Sequence, residues 1–155
     1  MSTQGTPGHV PVEQEIRYWM RAPAVTINLA APLSDALALM REYDVRRLPV
    51  VIDTGELRGI ITQGDIRGAD VLRLAGLDAV DVAEALRRIK VYEAMTEDPI
   101  AVRAETGLRE AALLMIENKI GGLPVIDGQR LVVGMVTESD LFEALVQQLE
   151  THPSF

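Results

Sequence analysis

The chain contains no cysteine, which excludes a disulfide framework, a thiol nucleophile and a zinc–thiolate site. Histidine is almost as scarce. His9 and His152, the only two, lie near the chain ends, and neither is assigned a catalytic or metal role. No nucleophile–base pair, metal cluster or G-x-x-x-x-G-K phosphate loop is present, so no catalytic residue, metal or catalytic cofactor is expected and the chain is read as a non-enzyme. No apolar run approaches the roughly 20 residues that cross a bilayer, and no membrane association is expected. The opening "MSTQGTPGHVPVEQE" lacks the charged and apolar regions of a signal peptide, so a cytoplasmic location is expected. Basic residues are in deficit: 15 Lys and Arg against 23 Asp and Glu leave a net charge of −8. That argues against a nonspecific nucleic-acid binder, which needs a basic face to displace counterions, but not against local binding of a small anion. With 48% apolar and 25% charged residues the composition is that of a soluble globular protein, and 155 residues suit one compact domain or two small ones.

What the chain does have is a duplicated string. "GIITQGD" at 59–65 returns as "GMVTESD" at 134–140, an offset of 75 residues. The same offset carries Met20 to Met95, Leu33 to Leu108, Met40 to Met115 and Leu48-Pro49-Val50 to Leu123-Pro124-Val125, with no insertion between. One register held this long marks an internal duplication. The division expected is a leading tail at 1–17, copies at 18–75 and 93–150, a helical connector at 76–92 and a short tail at 151–155.

Both copies read alike. "AVTIN" and "IAVRA" are short β-prone runs. "LSDALALMREY" and "LREAALLMIEN" carry apolar residues at helical spacing, with Met40 and Met115 on core-facing stripes. Hairpins follow, "LPVVI" through "DTGE" and "LPVI" through "DGQR", with Asp53 and Asp127 read as turn residues. A last helix begins at Asp65 or Asp140. The connector has helical periodicity through Val80, Ala83, Leu86 and Ile89. One copy is too small to bury a good core alone. The fold class is therefore α+β: two strand-helix-strand-strand-helix units packed about a pseudo-twofold axis, with any cleft between them bordered by residues of both.

The repeated T-x-x-D has two explanations. The string resembles a capping box: Thr62 or Thr137 can accept from a helix N-terminus while Asp65 or Asp140 complements the helix dipole, although that box favours Glu or Gln. The same helix end also suits an anion, and a carboxylate there can accept both hydroxyls of a ribose. Strand end, Thr and Asp together suit a nucleotide.

At this point the sequence resembles a tandem pair of CBS domains, the Bateman module. The matching stretches are "WMRAPAVTI…LMREYDVRRLPVVID…LRGIITQGDI" and "AMTEDPIAV…LMIENKIGGLPVID…LVVGMVTESDL". The resemblance covers about residues 18–150. It implies a stand-alone regulatory, ligand-sensing module for an adenosine derivative (AMP, ADP, ATP or S-adenosylmethionine), pairing as a homodimer and acting on an effector protein the sequence does not name. The alternative is a module without a ligand that serves as a structural or interaction dimer.

In such modules the aspartate of one copy holds the ribose, and the first strand and the segment before L-P-V of the other enclose the base and approach the phosphates. Carried over, this implies a first cleft of Thr137 and Asp140 with Val25, Val45, Arg46, Arg47 and Leu48. A second cleft would join Thr62 and Asp65 to Ile100, Ile120, Gly121, Gly122 and Leu123. "VRRLP" offers phosphate two arginines and "IGGLP" none, which favours the first cleft. Glu138 adds a negative charge there. The final helix, "DLFEALVQQLE", is apolar on more than one face, so a dimer is expected through it and its counterpart "DIRGADVLRL".

Overall fold

The computed structural model describes residues 14–74, 76 and 78–151; His9 and His152 lie outside them. After a single 3-10 turn at Ile16–Tyr18, the first copy runs β1 (Ile27–Asn28), α1 (Leu33–Tyr43), β2 (Arg47–Val51), β3 (Leu57–Thr62) and α2 (Gln63–Leu74). The connector forms α3 (Ala79–Arg88) and a short α4 (Val91–Ala94), leading to β4 (Thr96–Glu97). The second copy adds α5 (Leu108–Asn118), β5 (Gly122–Ile126), β6 (Val132–Thr137) and α6 (Glu138–Thr151).

The hairpins form as expected, β2 against β3 and β5 against β6, both antiparallel. Asp53 and Asp127 hold their turns: Asn28 donates to Asp53 at 2.7 Å, and the N–H groups of Gln129 and Leu131 donate to Asp127 at 2.8 and 3.0 Å. β1 adds in parallel to β2. Its counterpart in "IAVRA" is a single parallel bridge, Val102 to Val125, rather than a strand. The last helices begin at Gln63 and Glu138, two residues before the aspartates, because Thr62 and Thr137 are the residues that leave the strand and start the helix.

The pseudo-twofold relation is visible in the backbone. Leu57 N–H donates to Arg130 C=O at 2.9 Å, and the equivalent Val132 N–H donates to Gly55 C=O at 3.2 Å. Glu56 bridges Leu131, its own counterpart, so the axis runs between them. The leading segments are exchanged. β4, at the head of the second copy, pairs with β3 of the first, and Arg21, at the head of the first, bridges Met135 on β6 of the second.

Each copy has its own core. Leu33, Ala36, Met40, Leu48, Val50 and Ile61 lie in one; Ala111, Met115, Leu123, Val125 and Val136 lie in the other. Leu48 and Leu123 are fully buried, and burial of such a side chain stabilises by about 1.5–3 kcal/mol. Two expectations change here. Ile16, counted with the leading tail, is fully buried in the second core, because its segment crosses to that copy. The connector helix buries Leu86 and packs Val82 against the first core, while Val80 is 74% exposed. The buried stripe is rotated because α3 rests on both α1 and α2. On the second copy the groove between α5 and α6 is open, with Ile116 71% and Phe142 62% exposed.

Candidate functional site

The T-x-x-D strings form the helix starts. In the first copy the exchange is reciprocal: Thr62 N–H donates to Asp65 Oδ2 at 2.9 Å, and Asp65 N–H donates to Thr62 Oγ1 at 3.0 Å. In the second, Thr137 uses both its N–H (2.8 Å) and its hydroxyl (3.2 Å) to donate to Asp140 Oδ2. The first copy has the threonine accept from the helix start as the capping explanation requires, whereas in the second the Thr137 hydroxyl donates to Asp140 and only the carboxylate's half of the exchange is present. The exchange occupies one oxygen of each carboxylate, and Asp140 is among the residues that line a cavity.

The opposite wall comes from the end of α1. Asp44 takes a left-handed conformation (φ 53°), and Val45 N–H returns to Met40 C=O at 3.0 Å. The chain reverses and sends Val45, Arg46 and Arg47 along the edge of a cavity of about 550 Å³. That cavity brings Val25, Val45, Arg46 and Arg47 of the first copy to Thr137 and Asp140 of the second. Leu48, expected in the same wall, is not there. Strand alternation turns it into the first core, fully buried, and Pro49 lines the cavity instead.

Arg47 crosses the pseudo-twofold axis. A Cβ on Gly122, its own counterpart, would stand 2.7 Å from Arg47 Cδ; one on Gly121 would stand 2.9 Å from Arg47 Nη2 and 2.5 Å from Glu138 Oε1. The glycines thus make room for the Arg47 side chain. Gly121 lines the first cavity, and both glycines, expected in the second cleft, leave space that the long Arg47 side chain reaches over the axis to fill. Burial lowers the Arg47 pKa from its usual value, the Glu138 carboxylate opposes that shift, and Arg46 adds to it. Of the other residues expected in the second cleft, Thr62 and Asp65 hold each other, Ile100 is exposed, Ile120 packs half-buried on the second core, and Leu123 is fully buried in it.

Four polar residues of the cavity were not expected: Arg21, Asp44, Ser139 and Glu143. Arg21 arrives only because the leading segments are exchanged; its N–H donates to Met135 C=O at 2.9 Å, and its guanidinium donates to Tyr43 C=O at the end of α1 at 3.3 Å. No local pattern could have announced it. The wall carries three arginines (21, 46, 47) and four carboxylates (Asp44, Glu138, Asp140, Glu143). It offers donors for an anionic group, acceptors for hydroxyls and an apolar patch at Val25 and Val45. Among the described residues no cluster of His, Asp or Glu could hold a metal ion, and no helix is long and apolar enough to cross a membrane.

Comparison with known proteins agrees with this geometry. The CBS domain family model matches residues 12–71 and 91–147. A CBS domain-containing protein of Dictyostelium discoideum is 38% identical over 138 residues, which cover 89% of this chain and 95% of that protein. Homoserine O-acetyltransferase of Methanosalsum zhilinae is 31% identical over 122 residues, 79% of this chain and only 22% of the enzyme, so the same unit also occurs within larger enzymes. Among solved structures, the CBS domain pair of protein MJ0100 in complex with 5′-methylthioadenosine and S-adenosyl-L-methionine superposes with a TM-score of 0.72 at 27% identity, covering 86% of this chain and 97% of that one. CBSX2, an Arabidopsis thaliana protein, in complex with AMP gives the same four values.

Proposed function

The chain belongs to the CBS-domain family, and from that premise we propose that it is a regulatory module that binds an adenosine nucleotide in the cavity between its two copies. The ligand is of the AMP, ADP, ATP or S-adenosylmethionine kind, and occupancy is passed to a partner protein rather than to a reaction at the site. One observation carries the reading: Asp140 lines the same cavity of about 550 Å³ as Arg46 and Arg47, which the backbone reversal after α1 brings to it. An acceptor carboxylate and a pair of cations are the two kinds of group that a ribose diol and an anionic tail call for. AMP bound to CBSX2 and S-adenosylmethionine bound to MJ0100 support the choice of adenosine. The site is read as one that binds its ligand rather than turning it over.

Purified protein is precipitated with acid and the supernatant read in the ultraviolet; adenine absorbance identifies a carried ligand. Calorimetry on nucleotide-free protein is expected to give saturable AMP binding with one strong site per chain, since the counterpart cleft lacks the arginine pair. A flat titration with every adenosine compound leaves the interaction-module reading in its place.

The module is further proposed to pair as a homodimer. The face that needs a partner is the α5–α6 groove, where Ile116, Phe142 and Leu145 are exposed together. Light scattering at micromolar concentration is expected to read about twice the 17.0 kDa of one chain, and Phe142→Glu to return it to one chain. A 17.0 kDa species for the parent defeats the proposal.

A further inference from the structure

The two copies differ at one position that the binding reading has not used. Gln63 and Glu138 are counterparts at the offset of 75, and both are anchored the same way. Gln63 N–H donates to Arg46 C=O at 2.8 Å, and Glu138 N–H donates to Gly121 C=O at 3.1 Å. Their backbones are thus fixed at the mouth of each cleft, and only the side chain changes: a neutral amide in one copy, a carboxylate in the other. The carboxylate is aimed inward. Glu138 Oε1 and Arg47 Nη2 lie 2.5 Å and 2.9 Å from the same point above Gly121, so one small space over a glycine holds both charges. Arg47, half-buried, therefore already faces an anion when the cavity is empty. Asp44 and Glu143 add further negative charge to the same wall.

We propose that Glu138 is a specificity-determining residue: it is the built-in counter-ion of Arg47, so the cleft takes an adenosine ligand with a short, weakly charged tail and turns away di- and triphosphates. The inference rests on the function proposed above and adds the charge that the ligand can carry. A single phosphate meets Arg46 and Arg47 against one opposing carboxylate. Each further phosphate adds negative charge to a wall where four carboxylates already outnumber three arginines. Like charges brought together in a partly buried site repel, and that repulsion selects against the wrong ligand.

The test is a set of calorimetric titrations of AMP and ATP, without divalent cations, into the parent, Glu138→Gln and Glu143→Gln. Glutamine at 138 reproduces what the first copy carries at 63, so the fold has already accepted it. The parent is expected to bind AMP more tightly than ATP by about tenfold or more, and Glu138→Gln to raise ATP affinity relative to AMP by about tenfold, a change of about 1.4 kcal/mol. Glu143→Gln removes the same charge from the same wall and from an equally exposed position, but not from the space over Gly121 that Glu138 shares with Arg47, and is expected to change the ratio by less than about threefold. An AMP-to-ATP ratio unchanged by Glu138→Gln, or changed equally by Glu143→Gln, overturns the inference and leaves the binding function standing. No binding of either nucleotide to any of the three proteins overturns the binding function and this inference with it.

Discussion

Asp140→Ala is expected to weaken binding of adenosine and AMP alike, by about ten- to a hundredfold, whereas Arg47→Ala is expected to weaken AMP by a similar factor and spare adenosine. The split follows from what each side chain can touch. Asp140 lines the cavity with one oxygen engaged by Thr137, and its carboxylate can accept from a ribose diol that both ligands carry. Arg47 presents a guanidinium to the tail, which adenosine lacks. Hydrogen bonds to charged groups are worth about 1.5–3 kcal/mol each, which sets the expected factor. Asp65→Ala is expected to matter less, because no arginine stands opposite it at the positions of Gly121 and Gly122. Both aspartates also hold helix starts, so each alanine variant should lose about 0.5–2 kcal/mol of stability, and thermal melts must accompany the titrations. Full AMP binding by Asp140→Ala together with loss in Asp65→Ala would assign the ligand to the other cleft.

Gly134→Val is expected to destabilise the fold strongly. A Cβ there would stand 2.8 Å from Met20 Sδ and 2.9 Å from Arg21 C=O. The methionine can move; the carbonyl cannot, because Arg21 and Met135 exchange two backbone hydrogen bonds at 2.9 and 3.0 Å. Overpacking of this kind costs about 1–3 kcal/mol, and each lost hydrogen bond about 0.5–1.5 kcal/mol. The total expected is about 2–5 kcal/mol by urea denaturation, although valine is a good strand former. The counterpart Gly59, with Met95 Sδ at 2.6 Å and Thr96 C=O at 2.8 Å from its built Cβ, should behave the same way. A Gly134→Val protein within about 0.5 kcal/mol of the parent would mean that the leading segment contributes nothing to stability. The variant should also lose ligand affinity, since Arg21 leaves the cavity with its segment.

This exchange marks the boundary of what the sequence could convey. Duplication, hairpins and core faces were legible because each is written in local spacing: Met40 and Met115 are buried where their helical period puts them. Most of the first cleft was legible too, since Val25, Val45, Arg46, Arg47, Thr137 and Asp140 share one cavity. The failures arose where equivalence was extended to side chains. The resemblance implies Gly121 and Gly122 in the second cleft, but an arginine and a glycine at equivalent positions cannot behave equivalently. The longer one occupies the space of the shorter. Leu48 was placed in the wall by its neighbours, whereas strand alternation decides which way it faces. The T-x-x-D string remained ambiguous because one carboxylate can serve both explanations.

The exchanged leading segments have a consequence for how the chain behaves among its own copies. A hairpin such as β2–β3 or β5–β6 has an outer edge whose unpaired N–H and C=O groups can template another chain. Here β4 lies along that edge of β3, and the Arg21 segment pairs at Met135 on that edge of β6. Each copy thus protects the other from edge-to-edge aggregation, and neither can do so for itself. A half-chain cut within the connector would carry a bare strand edge together with a loose segment fitted to cover one. Its lowest-energy recourse is to trade segments with a second half, so the interlocked pair seen in one chain is also the arrangement two separate halves would be driven to rebuild.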